Sequence, residues 1–301
     1  MTNEKNDLEV TNLAPINPKI WDSFLKNLYR SQWPEKLPHP ILDNLYQTSS
    51  LRPKKFFSMK NNNALTGISA TNIEQKISRA VTFIGIDRQQ FSKPDSIKLI
   101  QTNINYLKKM NIQTMNIQTE EFDTQIQKIL IQLGFKKIRK YSNLIHDSKI
   151  LQSVEIPDNI QLGSLQIGDE KKFTDILNKS FEKEWVFCPN TVEEIIHSIY
   201  SSNHNLNDIV ILKKNNEFIS FNWTQIFNKN IGKIGMIGVH PKFQNLGIGK
   251  ITVLAGMNYL KSNKIKTITL EVDEANLRAI KLYTALEFKK YFSTIWFEKI
   301  L

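Results

Sequence analysis

Five residues of this chain recur in order, the first four with their chemistry kept: Phe83-Ile84-Gly85-Ile86-Asp87 matches Met236-Ile237-Gly238-Val239-His240, 153 positions on. The same offset aligns Asn105-Tyr106-Leu107 with Asn258-Tyr259-Leu260, and Leu133-Gly134-Phe135-Lys136-Lys137 with Leu286-Glu287-Phe288-Lys289-Lys290, with no gap between them. Upstream, an offset of 152 pairs Leu13 with Leu165, Trp21 with Phe173 and Trp33 with Trp185. A correspondence this long is one domain written twice, and 301 residues suit two domains of about 150 each. The expected halves are 1–150 and 151–301. They meet near 148–156, where Asp147-Ser148-Lys149 and Pro157-Asp158-Asn159 offer linker and turn chemistry.

Hydrophobic periodicity gives the order of elements in the second copy. It predicts a strand at 160–165, an amphipathic helix over 169–181, and a second helix over 192–201 capped by Asn190 or Thr191. Strands follow at 209–213, 218–227 and 232–239, then a helix over 247–262, a strand at 267–272, a short helix over 276–286 and a strand near 291–297. Strands at both ends of two strand–helix units imply an α/β domain with a mixed sheet.

Composition excludes several classes. No apolar run approaches the roughly 20 residues that span a bilayer. The opening residues are polar and carry acids, unlike a signal peptide. A single cysteine, Cys188, allows no internal disulfide framework and suits a reducing cytoplasm. Of the net charge of +11, residues 1–150 supply nine (22 basic against 13 acidic side chains) and residues 151–301 supply two. Lys136-Lys137-Arg139-Lys140 could attract a polyanion. No aromatic interleaving accompanies the charge, which argues for solvated surface rather than nucleic-acid binding.

The segment that carries chemistry runs from Val239 to Lys250. A strand ends at Val239, a turn follows, and a helix opens near Gly247. Gly247 and Gly249 leave successive amide N–H groups bare at the positive end of a helix, where a pyrophosphate is a natural occupant. The pattern Val239-x-Pro241-x-x-Gln244-x-x-Gly247-x-Gly249 resembles the coenzyme A-binding motif of the GNAT superfamily of N-acetyltransferases. That family's second motif is matched by Leu270-Glu271-Val272 and by Asn276 to Tyr283. The resemblance covers the second copy and implies tandem GNAT-like domains with acetyl-CoA as co-substrate and no metal. It further implies that Ile237, Gly238 and Val239 contact the acetyl and pantetheine arm. Gln244, Asn245, Leu246, Gly247, Ile248, Gly249 and Lys250 would hold the pyrophosphate, and Asn276 would hydrogen-bond the arm. Phe221-Asn222-Trp223-Thr224 and the two-copy layout also resemble mycothiol synthases, which are tandem members. Gln225 and Lys233, however, stand where those proteins carry Lys and Glu. The architecture carries over and the acceptor does not.

The first copy departs at each of these positions. Phe91 replaces Gln244, Pro94 replaces Gly247, Ser96 replaces Gly249, Asp123 stands for Asn276 and Leu130 for Tyr283. Pro94 removes an N–H from any phosphate cradle. The first copy is therefore expected to keep the fold and not to bind coenzyme A.

Acyl transfer to an amine needs a neutral nucleophile, a polarised carbonyl and a proton for the leaving thiolate. The resemblance gives Tyr283, two helical turns from Asn276, the role of acid; packing alone is the competing account of that ring. The base is not legible. Glu182, Glu184, Glu193 and Glu194 border the region where the superfamily binds its acceptor, but four acids there are more often solvated helix ends than a base or an amine site. His240 reads as a turn residue, and Cys188 as a less favoured ping-pong nucleophile. Two readings stand: an acetyl-CoA-dependent N-acetyltransferase acting on a primary amine of a small molecule or peptide, or a coenzyme A-binding module in which catalysis has lapsed.

Overall fold

The computed structural model describes residues 9–12, 54–61, 64–87, 89, 91–147, 153–185, 187–200, 205–227 and 229–301. Leu13, Trp21 and Trp33 of the upstream correspondence, and Ser148-Lys149 of the expected linker, lie outside the described residues. The chain divides into two compact α/β units.

The second unit, mainly Tyr141–Phe292, carries β7 (Gln161–Ser164), α3 (Glu170–Phe181), α4 (Val192–Tyr200), β8 (Ile209–Lys214), β9 (Glu217–Ile226), β10 (Ile231–Val239), α5 (Ile248–Ser262), β11 (Thr267–Asp273) and α6 (Leu277–Ala285). Strands β7 to β10 pair antiparallel in sequence order, and β10 pairs parallel with β11. Alternation along β9 sorts its side chains between two helical layers. Phe221 and Trp223 join Phe173, Leu177, Ile195 and Ile199 under α3 and α4. Ser220, Asn222 and Thr224, all fully buried, face the other way, toward α5. Beneath α5 and α6 lies a separate core of Val253, Leu254, Met257, Leu260, Ile268, Leu270 and Phe288.

The first unit repeats the plan with β1 (Glu9–Asn12), β2 (Lys54–Asn61), β3 (Ala64–Glu74), β4 (Arg79–Ile86), α1 (Lys93–Lys109), β5 (Thr114–Glu120) and α2 (Thr124–Gln132). Registers coincide between the copies. Ile86 faces Gly67 as Val239 faces Ser220, and Ile84 faces Ser69 as Ile237 faces Asn222.

In each unit the strand next to the last strand of its own strand–helix pairs comes from the other copy. From β6 (Lys136–His146), the stretch Tyr141 to His146 runs antiparallel to β11 in the second unit. From β12 (Lys289–Ile300), the stretch Thr294 to Ile300 runs antiparallel to β5 in the first unit. Ile295 and Phe297 are nearly inaccessible in the first unit's core beside Met115, Ile117 and Phe135. Phe297→Ala should therefore cost about 3–5 kcal/mol and remove hydrogen-exchange protection from Thr114–Glu120. Protection lost from Thr267–Asp273 instead would contradict this pairing.

Candidate functional site

Parallel pairing between β10 and β11 covers only Ile231 to Ile234, the last pair being Ile234 with Leu270. Beyond it, Met236 to Val239 stay paired with β9 alone, and the ladder slips one residue between Ile234 and Met236. The slip is a β-bulge, and Gly235 is its extra residue. The backbone of β10 after Ile234 thus has an edge without a strand partner on the β11 side, of the kind an extended ligand can pair with. The first unit splits at the same place, with β4 and β5 paired only up to Thr82 and Ile117, but β4 keeps regular register on β3. Gly235 was not singled out from the sequence. The signal was there, because the offset between copies is 152 at Arg79/Ile231 and 153 from Phe83/Met236 onward.

Side chains along the split edge alternate between the layers. Met236 packs with the α3 core and Ile237 with the α5–α6 core. Gly238 lies directly against the Phe221 ring, and a Cβ there would overlap that ring and come within 2.8 Å of the Ser180 Cβ.

After Val239 the chain makes a single 3₁₀ turn, Pro241–Phe243, tied by the Phe243 N–H to the His240 carbonyl. His240 is a turn residue: its Nδ1 accepts the Lys242 N–H at 3.2 Å, and burial with nearby Lys242 and Lys179 holds its pKa below the ordinary imidazole range. Gln244 donates from Nε2 to the Val239 carbonyl at 3.2 Å, lashing the loop to the end of β10. Asn245 and Gly247 then adopt left-handed backbone, with φ of 64° and 79°. Gly tolerates this without penalty, and Asn better than most. Gly247 is the N-cap of α5 and provides no side-chain cap. Among the described residues, the amides of Asn245, Leu246, Gly247, Ile248 and Gly249 meet no backbone acceptor, while Lys250 and Ile251 bond back to Gly247. Bare N–H groups at the start of a 15-residue helix form an anion-binding concavity. Gln244 to Gly247 and Lys250 are exposed, and Ile248 is buried as the anchor of the first turn.

The corresponding helix start of the first unit is closed. Ser92 caps α1 by accepting the Asp95 N–H, Pro94 has no N–H to offer, and Ser96 bonds back to the Ser92 carbonyl through both its N–H and its hydroxyl. The Asp95 carboxylate sits in the same turn.

Helix α6 completes the neighbourhood. A Cβ on Gly249 would lie 3.9 Å from Leu282 Cδ2 and 4.0 Å from Val239 Cγ2, so the loop, the end of β10 and α6 converge. Asn276 caps α6, its Oδ1 accepting the Ala279 N–H at 3.0 Å; the side chain is exposed, and its NH₂ remains a donor. Asp123 caps α2 in the same way, so the cap persists in the first unit while the donor does not. Tyr283 is half-buried two turns along α6, edge-on to Phe288 with ring centroids 5.8 Å apart, and joins the cluster that holds Ile237. Burial pushes its pKa up to about 12, and no described residue hydrogen-bonds its hydroxyl.

The acids near α3 and α4 are partly committed. Glu194 forms a capping box with Thr191: its carboxylate accepts the Thr191 N–H at 2.8 Å while Thr191 Oγ1 accepts the Glu194 N–H. The sequence Thr191-x-x-Glu194 carries that signature outright. Glu182 is ion-paired with Lys179 at 2.7 Å on the surface, which holds its carboxyl below the usual range. Glu184 and Glu193 are exposed, Lys233 lies opposite Gln225 across β9 and β10, and Cys188 is buried. No described helix is long and apolar enough to cross a membrane, which says nothing of a β-barrel.

Residues 171–288 match the family model for the acetyltransferase (GNAT) family. Among curated proteins, the mycothiol acetyltransferase of Acidothermus cellulolyticus is 24% identical over 184 residues, 56% of each chain. That of Stackebrandtia nassauensis is 34% identical over 88 residues, 28% of this chain and 29% of its own. The chain thus spans about half, or less, of the length of the curated relatives it matches. Among solved structures, a GCN5-related N-acetyltransferase from Sphaerobacter thermophilus superposes with a TM-score of 0.78 at 13% identity, over 97% of this chain and 95% of its own. A tandem GNAT protein from the clavulanic acid biosynthesis pathway reaches 0.77 at 12% identity, over 98% of both chains. At such identities these two likenesses speak to the fold, which they share over both units.

The raised pKa of Tyr283 has a pH signature. Between about pH 10 and 12 the unfolded phenol ionises before the folded one, so the stability from keeping it neutral is whole below pH 10 and lost as pH climbs to 12. Tyr283→Phe should lose less stability than the parent across that window in paired denaturant melts. Parallel decline of the two proteins would mean that the phenol is solvated.

Proposed function

We propose, from the premise that residues 171–288 belong to the acetyltransferase (GNAT) family, that the second unit transfers the acetyl group of acetyl-CoA directly to a primary amine of a small molecule or peptide. The observation that carries the reading is the unpartnered edge of β10 running straight into the bare-amide start of α5, since a thioester arm and a pyrophosphate need those two features end to end. In this reading Ile237, Gly238 and Val239 line the acyl and pantetheine arm through their backbone. Gln244 shapes the phosphate loop, and Asn245, Leu246, Gly247, Ile248, Gly249 and Lys250 surround the pyrophosphate. Asn276 donates its NH₂ to the arm. The first unit, with Ser92, Pro94 and Asp95 filling its helix start, binds no coenzyme A.

The reaction joins the amine nitrogen to the thioester carbon and breaks the C–S bond, with a β10 amide polarising the carbonyl oxygen. An amine of pKa near 10.4 is neutral in only roughly one molecule in 2,500 at pH 7, so its proton must leave toward a base or a water chain. Tyr283 faces the departing sulfur. With the phenol near 12 and a free thiol near 8.5, complete proton transfer is uphill by about 3.5 pKa units. Its contribution is then a hydrogen bond to the developing thiolate, and the thiol proton comes finally from the amine or from solvent. The alternative, a coenzyme A-binding module without turnover, draws support from Glu182 and Glu194, which are engaged elsewhere.

Calorimetric titration with acetyl-CoA should give one equivalent per chain, abolished by Gly247→Pro. A second equivalent of similar affinity would overturn the assignment of the first unit. Thiol release against an amine panel separates enzyme from module: binding with no amine-dependent release supports the module. Tyr283→Phe should lower kcat on the order of tenfold, the weak side of acid catalysis, with acetyl-CoA affinity kept. Unchanged turnover would make the hydroxyl a bystander.

A further inference from the structure

Both units bury one asparagine between the helix that follows the split strand and the sheet beneath it, but the asparagine sits on opposite partners. In the first unit it is on the helix. Asn103 of α1 donates from Nδ2 to Ser69 Oγ on β3 at 2.8 Å and to its own helix's Leu99 carbonyl at 2.9 Å, while its Oδ1 accepts from Thr71 at 2.9 Å. In the second unit it is on the strand. Asn222 of β9 donates from Nδ2 to the Thr252 carbonyl of α5 at 3.1 Å. At the shared offset of 153, Ser69 corresponds to Asn222, Asn103 to Gly256, Leu99 to Thr252 and Thr71 to Thr224. The two asparagines therefore reach the carbonyl of the same helix position from opposite sides, and the position facing each is small. Gly256 has to be glycine, because a Cβ there would overlap the Asn222 amide. All the bridge side chains are essentially inaccessible, so neither amide can exchange its partner for water.

We infer that Asn222, facing Gly256, is a positioning residue that fixes the spacing between the two halves of the cofactor site. This inference rests on the acetyl-CoA reading above. Asn222 is the register partner of Ile237 on the split edge, and its acceptor, Thr252, stands one turn into the helix that opens at Gly247. Thr252 ties the same turn down a second time, its Oγ1 lying 2.7 Å from both Ser220 Oγ and the Ile248 carbonyl, with its one hydroxyl proton serving one of these contacts. Strand edge and amide loop are thus held at one separation by buried, directional bonds. A ligand spanning both is sensitive to that separation, since displacements of about 1 Å are costly to binding and turnover.

The test is a reciprocal exchange in the full chain. Asn222→Ala should lower the melting temperature by roughly 3–8 °C, the cost of one lost buried hydrogen bond and of the space the amide leaves behind. It should also raise the KM for acetyl-CoA on the order of tenfold, with the amine KM little changed. Gly256→Asn alone should fold poorly, because its side chain meets Asn222. The pair Asn222→Ser with Gly256→Asn rebuilds the first unit's arrangement, and should recover both the melting temperature and the KM relative to either single variant. Where Asn222→Ala does not fold, Asn222→Ser serves as the comparison. A double variant no better than its singles overturns the bridge. Recovery of melting temperature with acetyl-CoA KM unchanged throughout overturns the positioning role and leaves a structural bond. If the parent binds no acetyl-CoA, the function reading fails, and the melting temperatures still decide the bridge.

Discussion

The parallel ladder between β10 and β11 ends after four pairs, at Ile234 and Leu270, and much of the second unit is organised around that ending. Past this point β10 must satisfy one edge of its backbone without a neighbouring strand. In a buried sheet such an edge is costly unless something else pairs with it. Gly235 bulges at the point of divergence, Gly238 keeps the α3 face thin beneath Phe221, and the strand delivers the chain to a helix start whose amides are likewise unfilled. Two deficits of hydrogen-bonding partners thus adjoin. Left separate, each would be a defect; joined end to end, they describe the shape and polarity of one elongated ligand with an anionic end.

The first unit shows how small a change closes such a place. Its sheet splits at the same register, so the split belongs to the fold. Register on β3 is regular, and at the helix start a serine cap and a proline satisfy or remove amides that the second unit leaves bare. Asp123 preserves the helix cap of Asn276 and loses only its donor. What diverged is the supply of unpaired N–H groups, while Leu99, Ile104, Leu107 and Phe135 keep the core.

Elements and caps were legible in the sequence because they are local. The apolar spacing of 169–181, a cap at Asn190 or Thr191 (the structure uses Thr191) and the turn before Gly247 each rest on a few neighbouring residues, and the structure has helices at Glu170–Phe181, Val192–Tyr200 and Ile248–Ser262. The bulge at Gly235 is equally local but silent, because one glycine inside Ile234-Gly235-Met236 does not interrupt an apolar strand pattern. The strand exchange is silent for another reason. β6 and β12 both follow a phenylalanine with two lysines, and their alternation suits either sheet. The Asn222–Gly256 bridge needed coordinates as well, since an asparagine in a strand and a glycine in a helix look like two unrelated irregularities until they face each other.

The exchanged strands bear on how the chain is made. Every core residue of the first unit between Phe57 and Phe135 leaves the ribosome well before Ile295 and Phe297. At about 5–20 residues per second, β5 waits on the order of ten to thirty seconds for the strand that covers its edge. During that interval Met115, Ile117 and the open backbone of Thr114–Glu120 form a hydrophobic, unpaired border available to any passing strand. The nascent first half thus lacks the strand that covers this border in the finished fold, which a self-closed domain of equal size would already carry. Synthesis that pauses late in the second half would prolong the exposure of the first.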